Sequence, residues 1–360
     1  MRTRFRQDLF EARDGRNVDA SLGRLEGEGA QQEVFRVDQA FPTRREAPLR
    51  PTEDARTSYY GRPAIKEPVW VWSVPAYFYV GGLGGAAGVL AAAAQLSRHG
   101  QLRPFVQRLR RINAACAIIG SGLLAYDLGR PSRFLNMLRV FRPSSPMSIG
   151  SWLLAAVGGS SALAAILGET RAAGLRKGGD AAGLVAGVLD LPFAAYTSVL
   201  LANTAVPIWQ ASRRSLPVLF MASSAASLGS MLELCDLTAR EERIAQSFGT
   251  AARAAEHVAA HVVEHEAGQV EEVGRPLQEG TSGALWKAGK WMNVAALALS
   301  LLPRRWSWAR TSAGVLGTAS AVATRFAVFT AGRASSRNPH ATFEQQRAGD
   351  ARSGPVRNIG

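Results

Sequence analysis

The chain has 360 residues, of which 47% are hydrophobic and 19% are charged, and its formal net charge is +14. Length alone would allow two soluble domains, so the distribution of the charges decides the class of protein. No charged residue lies between Glu67 and Arg98, or from Pro143 to Gly168. Each interval exceeds the roughly 20 apolar residues that cross a bilayer, whereas a soluble core helix keeps a polar face throughout. We therefore predict an all-α, polytopic membrane protein.

Composition also restricts the partners and cofactors. The Lys and Arg residues lie in short runs between apolar segments, as membrane anchors do, so we expect a lipid environment and no nucleic acid. The two cysteines, Cys116 and Cys235, are too few for an iron–sulfur cluster, which needs about four thiolates. None of the five histidines lies inside a clear apolar span. We therefore expect this chain to hold no haem, iron–sulfur cluster or metal, and any electrons must come from a partner.

In chain order, a polar arm precedes a membrane domain and a polar tail. Residues 1–66 are predicted to be mostly disordered, residues 67–335 form the membrane domain, and residues 336–360 form the tail. The predicted spans cover about 74–96, 112–126, 149–167, 182–203, 216–234, 286–302 and 309–330. Residues 238–275 are amphipathic and too charged to cross lipid alone, so they are predicted to lie on the membrane surface. The bundle thus has seven to eight spans, the eighth requiring part of this segment to insert.

Two features of the spans predict how they are placed. The first span contains two overlapping small-xxx-small pairs, which predict close contact with another helix, although a glycine-rich face toward lipid is the alternative. These pairs are formed by Gly81, Gly84, Gly85 and Gly88. Arg325 lies near the end of the last span and is expected to reach the interface.

The loop charges predict the orientation. Lys and Arg are more numerous in loops 97–111, 169–180 and 236–290 and in the tail than in loops 127–148, 204–215 and 303–310. This bias places the first set in the cytoplasm and the N-terminus outside.

The segment DLGRPSRFLNMLRVFRPSSPMSIGSW begins at Asp127 and joins the second and third spans. It places a carboxylate at the end of an apolar helix, followed closely by Arg130 and Arg133, which is costly at a membrane boundary. Reaction of a quinone moves two electrons and two protons, so its site needs a proton-exchanging group and hydrogen-bond donors. Asp127 is a candidate for the first role, and an arginine or tyrosine for the second. The alternative is that Asp127 only caps the turn or pairs with Arg130.

Other polar residues offer weaker signals. Asp190 in the fourth span and Glu233 late in the fifth are candidates for a proton path, although pairing with basic residues or capping of helix ends explains them as well. His257, His261 and His265 recur every four residues, a spacing that fits a metal site or, more simply, a solvated helix face.

Long motifs carry a specific resemblance. The elements DLGRPxRF, NMLRVFRPxSPMSxGSW and AYTSVLLANTAVPIW together resemble the NrfD-like family of polysulfide reductase membrane subunits. A shorter branch of that family is similar also in SYYGRPAIKEPVW before the first span and in TRFAVFTAGRASSRNPH at the end of the last. The resemblance covers about residues 57–340.

The resemblance implies a multi-pass protein of the cytoplasmic membrane that transfers electrons between a quinone, menaquinone or ubiquinone, and an iron–sulfur, ferredoxin-like subunit. That subunit is often attached to a molybdopterin oxidoreductase subunit. The family's acidic quinone-site residue corresponds to Asp127, and its fourth-span tyrosine to Tyr196, while its polar first-span residues find no clear match. A pure membrane anchor without a quinone site is the main alternative, and a transporter is the second.

Overall fold

The computed structural model describes residues 17–19, 24–26, 63, 65–97, 102–129, 131–303 and 306–353. Within them, eleven α-helices follow one another along the chain. They are α1 Ser73–Leu96, α2 Arg103–Asp127, α3 Pro146–Gly168, α4 Ala173–Ala202, α5 Pro207–Ala211, α6 Ser215–Glu233, α7 Ala239–Ala267, α8 Glu271–Gly274, α9 Gly280–Ser300, α10 Ser307–Arg337 and α11 Pro339–Ser353. Two 3₁₀ helices, Pro131–Leu138 and Arg275–Leu277, and a short antiparallel strand pair, Asn17–Asp19 with Arg24–Glu26, complete the described elements.

The helices match the predicted spans in order and approximate position. Helices α1, α3, α4, α6 and α10 are long and apolar enough to cross a membrane. Helix α2 begins in a basic segment at Arg103, and α9 contains Lys287 and Lys290, so neither is apolar along its whole length. The prediction of an all-α membrane bundle is confirmed, and the five helices that qualify as spans among the described residues fit the predicted count of seven to eight only roughly.

The glycine-rich face of α1 makes the close helix contacts that its sequence predicts. A Cβ atom on Gly85 would lie 3.2 Å from the backbone nitrogen of Ala194, and one on Gly88 would lie 1.7 Å from Oδ2 of Asp190. Because these positions carry no side chain, α1 packs against α4 at backbone distance.

Helix α7 lies along α6, although its sequence places it on the membrane surface. A Cβ on Gly229 of α6 would be 2.4 Å from the Cα of Gly249, and near the other end Ser215 donates a hydrogen bond of 2.6 Å to Glu266. The two helices are therefore antiparallel and adjacent along the length of α6. The 29 residues of α7 rise about 43 Å, which exceeds the thickness of a hydrocarbon core.

Contacts between helix ends define one end of the bundle, which we call the Asp127 end. There, Ser73 at the start of α1 donates to Asp127 at the end of α2. Glu67, just before α1, pairs with Arg333 and with Arg337 in the last turns of α10. Burial raises the pKa of Glu67, but the bonds from Arg337 and Arg333 outweigh that effect and hold it below its ordinary value. The start of α1 and the end of α10 are thus tied together at this end.

The opposite end gathers the other helix termini. Arg111 of α2 pairs with Glu169, which follows α3. Gln246 near the start of α7 donates a bond of 2.6 Å to the carbonyl of Ser300 at the end of α9. The loop between α9 and α10 therefore lies at this end, together with the loop between α6 and α7.

The loop grouping from charge counts needs a correction. The tail that follows α10 lies at the Asp127 end with loop 127–148, whereas loop 303–310 lies at the opposite end. The reason is that α7 runs from one end of the bundle to the other and so adds a pass, which inverts every loop after it.

This arrangement predicts the outcome of topology mapping. Reporter fusions within loop 127–148 and at the C-terminus should label the same side of the membrane. Fusions near residues 170 and 304 should label the other side. Paired reporters active on opposite sides of the membrane make the measurement, with a fusion in loop 204–215 as the fixed reference. Opposite labelling of loop 127–148 and the C-terminus would mean that α7 does not cross.

Arg325 lies inside the bundle, so the prediction that it reaches the interface is wrong. Its side chain is 1% exposed, and its Nη2 donates to the carbonyl of Phe220 and to Ser224, both at 2.9 Å. The guanidinium lies 3.9 Å above the ring of Phe220. Helix α10 continues to Arg337, well past the predicted end of the last span, and this extension places Arg325 in the helix interior.

Candidate functional site at the Asp127 end

Asp127 ends α2 and lies against the segment that leads into α1. Its Oδ1 accepts hydrogen bonds from the Ser73 hydroxyl at 3.2 Å and from the Val71 backbone N–H at 3.4 Å. Ser73 is fully buried and Asp127 is half-buried. Both of these bonds use Oδ1, which fixes the orientation of the carboxylate.

The two predicted basic neighbours follow directly after Asp127. Arg130 lies outside the described residues. Arg133 belongs to the 3₁₀ helix Pro131–Leu138, but its side chain is not described. Their roles beside the carboxylate stay predictions.

Tyr77 continues the polar face of α1 from Ser73 into the bundle. Residues four apart share one face of a helix, so Tyr77 lies one turn below Ser73. Its ring packs on Gly120 of α2, where a Cβ would be 3.2 Å from the ring. Its phenol group lies within electrostatic range of Tyr196 on α4. Along α1, Ser73 thus contacts Asp127, and Tyr77 lies one turn further on, in the direction of Tyr196.

Tyr196 is enclosed between α3 and α4. Its ring lies on the Cα of Gly150, where a Cβ would be 2.2 Å from the ring atom Cε1. The hydroxyl is buried beside the backbone of Gly150, yet it makes no hydrogen bond of normal geometry with any described residue. A buried hydroxyl without a partner costs about 1–3 kcal/mol. A bound molecule with an acceptor oxygen would remove that cost.

Aromatic side chains form the rim of this site. The rings of Trp72 and Tyr126 are 5.9 Å apart and tilted by 48°, and Trp72 is 57% exposed. They stand on either side of the contact between Ser73 and Asp127. Aromatic residues of this kind are typical of the membrane interface, where the headgroup of a lipid-soluble ligand would enter.

Asp190 lies among the first four helices, but far from Asp127. The Asn113 amide donates a bond of 2.6 Å to its Oδ2, and its Oδ1 has no partner in the part of the chain that is described. It lies against Gly88, which is 15 residues beyond Ser73 and so about 22 Å further along α1. Asp190 and Asp127 therefore do not form one site, and a role for Asp190 in a proton path stays a prediction.

Glu233 lies at the opposite end of α6 in a buried ion pair. Arg253 of α7 bonds both of its oxygens, at 2.9 and 2.6 Å, and Ser300 of α9 donates to it at 3.0 Å. One guanidinium thus occupies both oxygens of the carboxylate. This geometry favours pairing with a basic residue, the alternative that the sequence left open.

The histidines of α7 contact one another on its outer face. The Nε2 atoms of His257 and His261 are 3.2 Å apart, and Nδ1 of His261 lies 3.4 Å from Glu264. Over residues 65–97, 102–129, 131–303 and 306–353, no group of three or more His, Cys, Asp or Glu side chains is arranged to hold a metal ion.

Ser73 is the site residue that sequence reasoning missed. It lies 54 positions from Asp127 in the sequence, so no local motif connects the two. The available signal was position: Ser73 is the one hydroxyl-bearing residue between Glu67 and Tyr77, and it immediately precedes the apolar span. Together with Tyr77, it supplies polar groups on the first span.

Long helices with buried polar side chains define an integral, multi-pass membrane protein. Residues 63–332 match the family described as "Polysulphide reductase, NrfD". This match covers most of the chain, so the protein belongs to that family, and it is a membrane subunit of polysulphide reductase-type complexes. The resemblance inferred from the motifs is confirmed. No curated protein matches the chain.

Proposed function

We propose that this chain binds a membrane quinone, menaquinone or ubiquinone, at the Asp127 end. Electrons would pass there between the quinone and an iron–sulfur, ferredoxin-like partner, itself attached to a molybdopterin oxidoreductase, in the cytoplasmic membrane. The observation that carries the proposal is the buried Tyr196 hydroxyl, which makes no hydrogen bond of normal geometry with any described residue. At the same end of the bundle lies the half-buried Asp127 carboxylate, whose bonds to described residues all use Oδ1. A hydrogen-bond donor and a proton-exchanging group are thus offered to one ligand.

The described side chains suit a quinone headgroup. When bound, a quinone supplies the exchange of two electrons and two protons. Tyr196 would donate its hydroxyl proton in a hydrogen bond to one carbonyl oxygen. Asp127 would hold or release a proton at Oδ2, while Ser73 and Val71 keep Oδ1 in place. The exposed Trp72 would cover the headgroup from the lipid side.

Tyr196→Phe tests the hydrogen bond. The variant removes only the hydroxyl, so the ring still fills the space against Gly150. We expect the quinone to bind about tenfold more weakly, because a net hydrogen bond contributes roughly 0.5–1.5 kcal/mol and 1.4 kcal/mol is tenfold. The dissociation constant can be measured from quenching of tryptophan fluorescence by a short-chain quinone in lipid nanodiscs.

The matched control is Tyr79→Phe, which removes a hydroxyl from α1 two residues beyond Tyr77 on another face of the helix. Its quinone affinity should equal that of the wild type. Equal affinity in the Tyr196 variant as well would contradict the proposed contact.

A further inference from the structure

Glu256 lies in the centre of α7, on the side that faces the other helices. Its side chain is 3% exposed, and its Oε1 has no hydrogen-bond partner within the described residues. A buried ionised carboxylate with an oxygen lacking a donor is costly. This group has no part in the quinone site, which lies between α1 and α4.

Charged and polar side chains face Glu256 from four helices. Arg253 and Arg325 are its cationic neighbours. The side chains contributed by each helix are Arg253 and His257 of α7, Ser223 of α6, Lys290 and Asn293 of α9, and Arg325 of α10. Glu256 therefore lies among polar groups although it is buried in the bundle.

A narrow cleft between α7, α9 and α10 reaches Glu256. Its volume of about 10 Å³ is enough for roughly one water molecule. Its polar lining consists of Glu256, His257, Lys290, Asn293, Ser320 and Thr324. Besides Oε1 of Glu256, the buried Oδ1 of Asn293 and Nδ1 of His257 lack partners among the described side chains, and a water molecule needs two to four such groups.

Polar side chains mark the exposed edge of the cleft. His257 and Lys290 line it and are themselves partly exposed. Arg253, one turn before His257 on α7, is fully buried and fixed by Glu233 and Ser230. The polar groups that connect Glu256 with the exterior are therefore those on the side of His257 and Lys290.

We propose that Glu256 is an internal proton-exchanging carboxyl group, which takes up and releases a proton through water held in the cleft between α7, α9 and α10. The proton passes between Oε1 and that water, so only O–H bonds form and break. This second site is independent of the quinone site at the Asp127 end.

Infrared spectroscopy of the whole chain in nanodiscs tests this proposal through the carboxylic acid C=O stretch. In the wild type, one component of this band should shift in D₂O and disappear as the pH rises. Glu256→Gln should remove that component. Glu266→Gln is the matched control: it alters a partly buried glutamate of the same helix that accepts a bond from Ser215, ten residues away from Glu256, and it should leave the component unchanged.

Loss of the component in Glu256→Gln, with retention in Glu266→Gln and in Asp127→Asn, supports the proposal. Identical spectra of wild type and Glu256→Gln overturn it, as does a Glu256 component that responds to neither D₂O nor pH. If the glutamine variant fails to fold, Glu256→Asp should shift the component rather than remove it, and an unshifted band in that variant overturns the proposal equally.

Discussion

Replacing Asp127 by Asn should lower quinone-coupled turnover at least about a hundredfold while the complex still assembles. General acid–base groups contribute on the order of 10²–10⁴ in rate, and Asn cannot exchange a proton. Its side-chain oxygen still accepts the bonds from Ser73 and Val71, so the contact between α1 and α2 is kept. The measurement is the rate of quinol oxidation or quinone reduction by the purified complex, together with its subunit composition.

The control is Glu169→Gln, which neutralises an exposed carboxylate paired with Arg111 at the opposite end. Its turnover should remain that of the wild type. Wild-type turnover of the Asp127 variant would favour the anchor alternative, in which the carboxylate only joins α1 to α2 through Ser73.

Much of the fold could be predicted because the length of an apolar segment and the spacing of its small residues can be read from one stretch of sequence. The span ending at Leu96 is uncharged from its start, and its glycines alone indicated a close contact, which Gly85 and Gly88 make with α4. Such signals require no knowledge of the partner helix. The family resemblance was equally accessible, since its motifs are contiguous in the sequence.

Helix α7 shows where such reasoning stops. Hydropathy treats each charge as if it faced lipid, and by that measure α7 cannot cross. In the structure its Arg253 is fully buried, with Glu233 and Ser230 on α6 and Ser300 on α9 as partners. Ser300 is 47 positions away in the sequence. Only the packing of three helices shows that the charge is compensated.

The sequence predicted only part of the candidate site, because its residues come from helices that are distant in the sequence. Asp127 and Tyr196 stood out through their motifs, but Ser73 and Tyr77 belong to another helix. Arg325 was placed wrongly. It lies close to the predicted end of the last span, and this closeness suggested a position at the membrane interface. Arg325 is instead buried, and Phe220 and Ser224 of α6 supply acceptors for its guanidinium.

Replacing Arg253 by Met should destabilise the protein by about 3–5 kcal/mol, because it leaves the Glu233 carboxylate buried without a countercharge. The pair is 0% and 5% exposed, with the shortest contact at 2.6 Å. Adding Glu233→Gln to the Arg253 variant should restore most of the loss, since no uncompensated charge then remains. The free energy of unfolding in mixed micelles is the quantity to measure.

The matched comparison is Arg310→Met, which breaks the pair with Glu242 at 2.8 Å, where both side chains are partly exposed. That loss should be roughly 0–1 kcal/mol, as for surface pairs. The contrast also tests the path of α7. If the helix lay on the membrane surface, water would solvate Arg253 and Glu233, and the two substitutions would cost equally little. A large loss for Arg253 alone requires its charge to be enclosed by α6 and α9, which is possible only if α7 runs through the bundle.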